Sequence, residues 1–247
     1  MNLRKFIKKI DEIFFLETFK KVYTKYYVIP KIQNHHKNYV QKITDLRQYK
    51  YLTYWNNHFN HIDRHKLEGD IVECGVGDGL SLSYILFNLI SNKNFLNKKY
   101  YGFDSFEGFP EPDIKDISNR NPQKGQWSHS KKEYVLENLR ILGFTNDHFK
   151  KIEFIKGFFS NTFKHHTSLI DKLCLLHVDC DLYLSTKNSL EIWYPKVISG
   201  GIIVFDEYLH DTETFPGAVK AIDEFFGDKI KKIKQDKISG KYYYIKD

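Results

Sequence analysis

From Gly69 onward, short apolar runs alternate with longer stretches of helical periodicity, and this alternation constrains the fold more than any other feature of the chain. The runs DIVECG (70–75), KYYGFD (99–104), KIEFIKG (151–157), LCLLHVD (173–179) and GIIVFDEY (201–208) have the length and composition of buried strands. Helical patterns fall between them at about 80–92, 131–143, 160–171 and 185–198, and Ser130 with Glu133 forms a capping-box sequence ahead of the second. Strand and helix in repeated alternation predict a parallel sheet covered on both faces. The ending IKKIKQDKISGKYYYIKD breaks the rhythm, and strand-like pieces flanking Ser239-Gly240 predict a hairpin. The expected fold is α/β: a Rossmann-like, doubly wound, mostly parallel seven-stranded sheet with a C-terminal antiparallel hairpin, preceded by an N-terminal helical segment. Residues 1–66 form that segment and 67–247 the main domain.

Open sheets of this kind bind ligands beyond the carboxyl ends of their strands. Glu73, Asp104, Asp179, Asp181, Asp206 and Glu207 all fall at or near such ends. Carboxylates are normally excluded from strand-rich interiors, so their clustering is the main functional signal. The stretch HVDCDLY (177–183) poses the question most sharply, because two acids follow an apolar strand with only Cys180 between them. A metal site and a solvated loop are both open readings.

The segment IVECGVGDGLS runs from a strand through Gly75, Gly77 and Gly79 into a helical pattern. Glycines there let the backbone turn tightly and approach a ligand, and the helix N-terminus offers free N–H donors. A dinucleotide fingerprint needs Gly or Ala at position 80, which is Leu80. The G-x-G-x-G spacing, with Glu73 two residues ahead, suits S-adenosylmethionine better than a pyrophosphate. A plain glycine turn is the bland alternative. Asp104, ending the next strand, shifts the balance towards a cofactor, since a carboxylate there can accept hydrogen bonds from both hydroxyls of a ribose.

Asp179 and Asp206 follow strands expected to be neighbours, so their side chains can converge. With Glu207 they supply three hard oxygen ligands, a set suited to Mg²⁺. Without a cation, three converging carboxylates repel one another and resist ionisation. Asp181, two residues past Asp179 and on the same side of an extended strand, is a candidate general base. A second metal ligand or a helix cap are its other readings. D-x-D after an apolar strand is also how glycosyltransferases hold Mn²⁺ and a nucleotide diphosphate, but that leaves the glycine loop, Asp104 and FDEY unexplained.

The formal charge of +7 says little about the main domain. Residues 1–50 hold 12 Lys and Arg against 4 Asp and Glu, so the rest of the chain is close to neutral and nucleic-acid binding is not expected. Leu3 to Tyr27 reads as a basic amphipathic helix, suited to packing or homo-oligomerisation, with peripheral membrane contact as the alternative. No transmembrane or signal segment is recognisable, and Cys74, Cys174 and Cys180 show no paired spacing, so a cytoplasmic protein without disulfides is expected. The long aperiodic segment from Ser105 to Ser130 reads as a substrate lid. In it Trp127 is either a stacking residue or an ordinary anchor, and His210, just after DEY, is a candidate substrate contact.

The stretches GDIVECGVGDGLS, YGFDSFEGFPEP, HVDCDLYLSTKNSLEIWYPKVISGGIIVFDEY and PGAVKAIDEFF, in that order, resemble the macrocin O-methyltransferase family. The resemblance covers about residues 50–227. It implies a class I enzyme that moves a methyl group from S-adenosylmethionine to a sugar hydroxyl with the help of Mg²⁺. By motif, Asp179, Asp206 and Glu207 correspond to the family's metal ligands and Asp181 to its proposed base. Gly75, Gly77, Ser81, Asp104 and Ser105 fall where the family binds its cofactor. Two departures stand out: Asp206-Glu207 replaces the usual Asp-Asp, and Gly77-Asp78 replaces an aromatic residue and its neighbour in the glycine loop. The expected substrate is a nucleotide-activated sugar for surface polysaccharide, with a phenolic or natural-product glycoside as the alternative acceptor.

Overall fold

The computed structural model describes residues 49–247. The basic helix expected over Leu3–Tyr27 lies outside the described residues. Seven strands form one sheet: β1 (Asp70–Cys74), β2 (Tyr100–Asp104), β3 (Ile152–Lys156), β4 (Leu173–Val178), β5 (Val197–Phe205), β6 (Lys234–Gln235) and β7 (Tyr242–Ile245). Their spatial order is β3-β2-β1-β4-β5-β7-β6. β1 to β5 are parallel, whereas β7 runs antiparallel to both β5 and β6. The expected parallel sheet and terminal hairpin are both present, and the hairpin adds its second strand directly to the edge of β5.

Alternation along the strands sorts the core into two layers. Val72, Cys74, Phe103, Leu176, Val178, Ile203 and Phe205 face one side, where Phe163, Trp193 and Phe226 pack on them. Those three come from α5 (Phe159–His166), α6 (Tyr183–Trp193) and α7 (Pro216–Phe226), labels that follow chain order among the described helices. Ile71, Tyr100, Leu175, Ile202 and Val204 face the other side, against α1 (Tyr49–Arg64), α2 (Leu80–Ser91) and α3 (Lys132–Ile141). The four-residue α4 (Asn146–Phe149) precedes β3. Both faces are therefore dry, as a parallel sheet requires.

α1 contributes Tyr54, Trp55, Phe59 and Ile62 to the second layer, so it shares a core with the sheet that follows it. It also reaches the far end of the chain: the Tyr54 hydroxyl donates to the Tyr242 carbonyl at 3.2 Å across 188 positions, and the His58 and Tyr243 rings meet edge to face at 4.9 Å.

Several local expectations are corrected. α7 fell outside the expected helices, although Pro216 at its first turn and the spacing of Val219, Ile222 and Phe226 mark it. The helix expected to 198 stops at Trp193, because Pro195 turns the chain into a 3-10 segment. Ser130 does not cap α3; its hydroxyl donates to Asp78 in the glycine loop at 2.6 Å, and Lys131 takes the cap position. Residues 105–130 are ordered by backbone hydrogen bonds of Phe109 with Gln126 and Gly125 and by a 3-10 turn at Ile114–Asp116. Asp116 is buried there, and its carboxylate accepts the backbone N–H of Tyr183 at the start of α6 at 2.7 Å.

Candidate active site

The parallel register assembles the acids. Cys74 pairs with Val178 and Val178 with Phe205, so the next residues of β1, β4 and β5 emerge at one level. Two further ladder bonds fix them there, from Asp179 N–H to the Cys74 carbonyl at 2.9 Å and from Asp206 N–H to the Val178 carbonyl at 3.0 Å. Asp179 and Asp206 are thus neighbours by strand pairing. Glu207 joins them, and one carboxylate oxygen from each of the three lies within 4.8 Å of the others.

These acids line a cavity of about 560 Å³, within the usual range of small-molecule sites. Asp181, Trp127 and His210 line it too, together with Lys50 and Tyr51 of α1 and Gln235, Ser239, Gly240 and Lys241 of the hairpin. Asp181 arrives there by a route the sequence did not suggest. β4 ends at Val178, and Asp181 adopts a left-handed backbone with φ of 60°, so it turns into the cavity and does not extend a strand.

Burial and mutual repulsion dominate the electrostatics. Desolvation, then the negative charges of Asp206 and Asp181, hold Asp179 well above the usual carboxylate range. Glu207 is raised in the same way by burial and by Asp181, Asp206 and Asp179. Burial and Asp206 push Asp181 up to about 7. Asp206 goes the other way. Burial raises it, but the Lys241 ammonium and His177 outweigh that effect and keep it ionised below the ordinary range. The Lys241 Nζ lies 2.6 Å from Asp206 Oδ1 and donates to the Asp206 carbonyl at 3.0 Å.

Three carboxylates at this spacing, with burial opposing their charge, fit a hard divalent cation. A second ligand-type set, Glu73, His177 and Asp179, shares Asp179. Both carboxylate oxygens of Glu73 are already used: Glu73 accepts from the Tyr100 hydroxyl and pairs with His177 Nδ1 at 2.7 Å, all inside the sheet beneath Trp55. Glu73, expected at the cofactor loop, is therefore a buried partner of the strand pair Glu73 and His177, which sit opposite each other in register. Its side chain points into the core because strand alternation sends it to the face covered by α1.

The glycine loop has two kinds of glycine. Gly75, with φ of 91°, leaves no room for a Cβ, which would strike the carbonyl oxygen of Asp179. This glycine lets β1 pass the acidic strand end. Gly77, with φ of 52°, would direct a Cβ into open space, and Gly79 forms a left-handed N-cap of α2 with no side-chain cap. Among the described residues the loop is thus open at Gly77, whereas a Cβ at Gly79 would strike Val135 of α3. Asp104 closes its base, accepting from the N–H groups of Val76 at 2.8 Å, Gly77 at 3.1 Å and Phe106 at 2.7 Å. Ser105 accepts from Glu107 N–H and donates to the Gly108 carbonyl, shaping the start of the 105–130 segment. Ser81 is half-buried in the first turn of α2.

In the 105–130 segment, Arg120 is held among three rings, 4.9 Å from Trp127, 5.0 Å from Phe215 and 5.4 Å from Phe109, and donates to the Gln126 side chain at 3.0 Å. Trp127 is half-exposed beside this stack, and its φ of 66° is unusual for a non-glycine residue. His210 stacks on Tyr242 at 5.7 Å and contacts Asp211 at 2.7 Å. The sequence reading missed Lys50, Asp116 and Lys241. Only Lys241 left a signal: a hairpin pairing Phe205 with Tyr242 places residue 241 beside residue 206.

The family described as macrocin O-methyltransferase (TylF) matches residues 47–240 of the chain. The demethyldecarbamoylnovobiocin O-methyltransferase of Streptomyces niveus is 28% identical over 161 residues, covering 64% of this chain and 58% of that protein. The mycinamicin III 3''-O-methyltransferase of Micromonospora griseorubida is 24% identical over 172 residues, covering 66% and 62% respectively. The matches thus span less than two thirds of these relatives' own lengths. Among solved structures, the O-methyltransferase NovP aligns with a TM-score of 0.64 and 25% identity over 80% of this chain and 79% of that one. The calicheamicin methyltransferase CalS11 shares the fold, with a TM-score of 0.69 and 20% identity over 95% of this chain and 92% of that one.

Proposed function

The chain belongs to the macrocin O-methyltransferase family, and on that premise we propose that it transfers a methyl group from S-adenosylmethionine to a hydroxyl of a sugar. The observation that carries the reading is the convergence of Asp179, Asp206 and Glu207 in one cavity, with Gly75 of the glycine loop packed against the Asp179 backbone. The names of the relatives above support a glycoside or sugar acceptor.

The glycine loop and the first turn of α2 would bind the cofactor, with Asp104 keeping the loop amides in place. S-adenosylmethionine supplies an activated methyl group. Asp179, Asp206 and Glu207 would hold Mg²⁺, whose Lewis acidity makes a sugar hydroxyl easier to deprotonate. Asp181 would accept the hydroxyl proton, a role supported by its position in the same cavity and by the burial and Asp206 charge that raise it towards neutrality. Trp127 offers an apolar face for a sugar ring, and the lid and hairpin walls would exclude water while the acceptor is oriented. The acceptor proposed is a nucleotide-activated sugar destined for surface polysaccharide.

Calorimetric titration with S-adenosylmethionine and with a nucleoside diphosphate, each in the presence of Mg²⁺, tests the reaction class. Binding of S-adenosylmethionine is the expected result, and binding of the diphosphate alone would identify a glycosyltransferase-like site instead. Methyl transfer to a panel of nucleotide sugars and free glycosides, read by mass spectrometry, then decides the acceptor. Methylation of glycosides only would overturn the nucleotide-sugar assignment.

A further inference from the structure

Lys241 has no part in the methyl transfer outlined above, yet its ammonium occupies the acidic cluster. It lies immediately before β7, and a dense turn fixes it there. Asp236 Oδ1 accepts from Ile238 N–H, Ser239 N–H and the Ser239 hydroxyl at 3.1, 2.7 and 2.8 Å, and Asp236 N–H donates to the Lys241 carbonyl at 2.8 Å. The side chain is largely buried and ends on Asp206 Oδ1 and the Asp206 carbonyl. Asp206 is also one of the three carboxylates that would hold the metal. A buried ammonium and a divalent cation cannot both approach one carboxylate closely without strong repulsion.

We propose that Lys241 is a built-in counter-ion of the acidic site, competing with a divalent cation for Asp206. In the metal-free protein Lys241 balances part of the charge of Asp179, Asp206 and Glu207 and holds the site together. Metal loading pulls Asp206 away from the ammonium and loosens the hairpin wall of the cavity. The carboxylates therefore bind metal more weakly than they would unaided, and the hairpin senses whether the site is filled. This proposal rests on the metal-binding reading of the same three acids.

The test is Mg²⁺ affinity, measured by calorimetry on metal-stripped full-length protein without cofactor or acceptor. Lys241→Gln removes the charge and should bind Mg²⁺ about tenfold tighter or more. Lys241→Arg keeps it and should stay near the wild type. Equal or weaker binding by the Gln variant, with the wild type binding normally, overturns the competition alone. No Mg²⁺ binding by any variant overturns the metal reading and the competition with it. If Lys241→Gln fails to fold, the wild type still decides: the ¹⁵N-lysine ammonium signal absent from Lys241→Arg should shift on Mg²⁺ addition. An unchanged signal at saturating Mg²⁺ refutes the proposal.

Discussion

The carboxylate of Asp116, in the segment that covers the cavity, accepts the backbone N–H of Tyr183 at 2.7 Å and so caps the helix that follows the acidic strand end. It satisfies a donor that the helix itself leaves unpaired. Gly217 of α7 presses on it from the other side, with no space for a Cβ. Asp116→Ala should cost about 1–3 kcal/mol by leaving a buried N–H without a partner. It should also speed limited proteolysis within 105–130. A melting temperature and cleavage rate unchanged from the wild type would show that the lid is held by other contacts.

The two loop glycines should respond differently. Gly75→Ala drives a Cβ into the Asp179 carbonyl and adds left-handed strain, so it should destabilise by roughly 2–5 kcal/mol and weaken both cofactor and metal binding. Gly77→Ala meets no atom of the described residues and should cost only about 1–2 kcal/mol, its main effect falling on cofactor affinity. Thermal melts with calorimetry on both variants check this, and equal stability losses would contradict it.

Removing a ligand should separate metal from cofactor. Asp179→Asn should lower methyl transfer at least about a hundredfold, as EDTA should for the wild type, while S-adenosylmethionine affinity changes little. Asp104→Asn should show the reverse, with cofactor affinity lost and Mg²⁺ binding kept, because its carboxylate braces the glycine loop. A fully active Asp179→Asn protein would refute the metal assignment.

Acid should destabilise the fold through His58. Burial drives its imidazole down from 6.5 to about 3, and Nε2 has no hydrogen-bond partner among the described residues. Below pH 6.5 the unfolded chain takes up a proton that the folded one refuses, so stability is complete above pH 6.5 and falls towards pH 3. The slope is up to about 1.4 kcal/mol per pH unit. His58→Phe should flatten denaturation midpoints between pH 6.5 and 4, and a parallel pH dependence in both proteins would rule His58 out as the cause.

The sheet, the hairpin and the acidic strand ends were legible because each is local: an apolar run followed by Asp179, Asp206 or Asp104 announces itself within a few residues. What escaped depends on pairing across the chain. Glu73 lies in the expected strand near the glycine loop, and only the β1–β4 register sets its side chain against His177 inside the core. Asp181 reads as extended if the strand is continued past Asp179, but its backbone turns left-handed, a conformation that Asp adopts more readily than most residues and that the apolar run before it does not announce. Ser130 followed the capping-box pattern but found a nearer partner in Asp78. Lys50 sits in unremarkable sequence, and only tertiary packing brings it to the cavity, whereas Lys241 reaches Asp206 through the pairing of β5 with β7.

The bond from Tyr54 to Tyr242 has a kinetic meaning as well. It joins the first described helix to the last strand, and the cavity lies between them, walled by Lys50 and Tyr51 on one side and Lys241 on the other. Contacts of such long sequence separation carry a large loop-closure cost and tend to form late. The parallel strands can pair beforehand, but the pocket acquires its full wall only when the two ends of the described chain meet. In refolding experiments, recovery of ligand binding should therefore lag behind recovery of secondary structure.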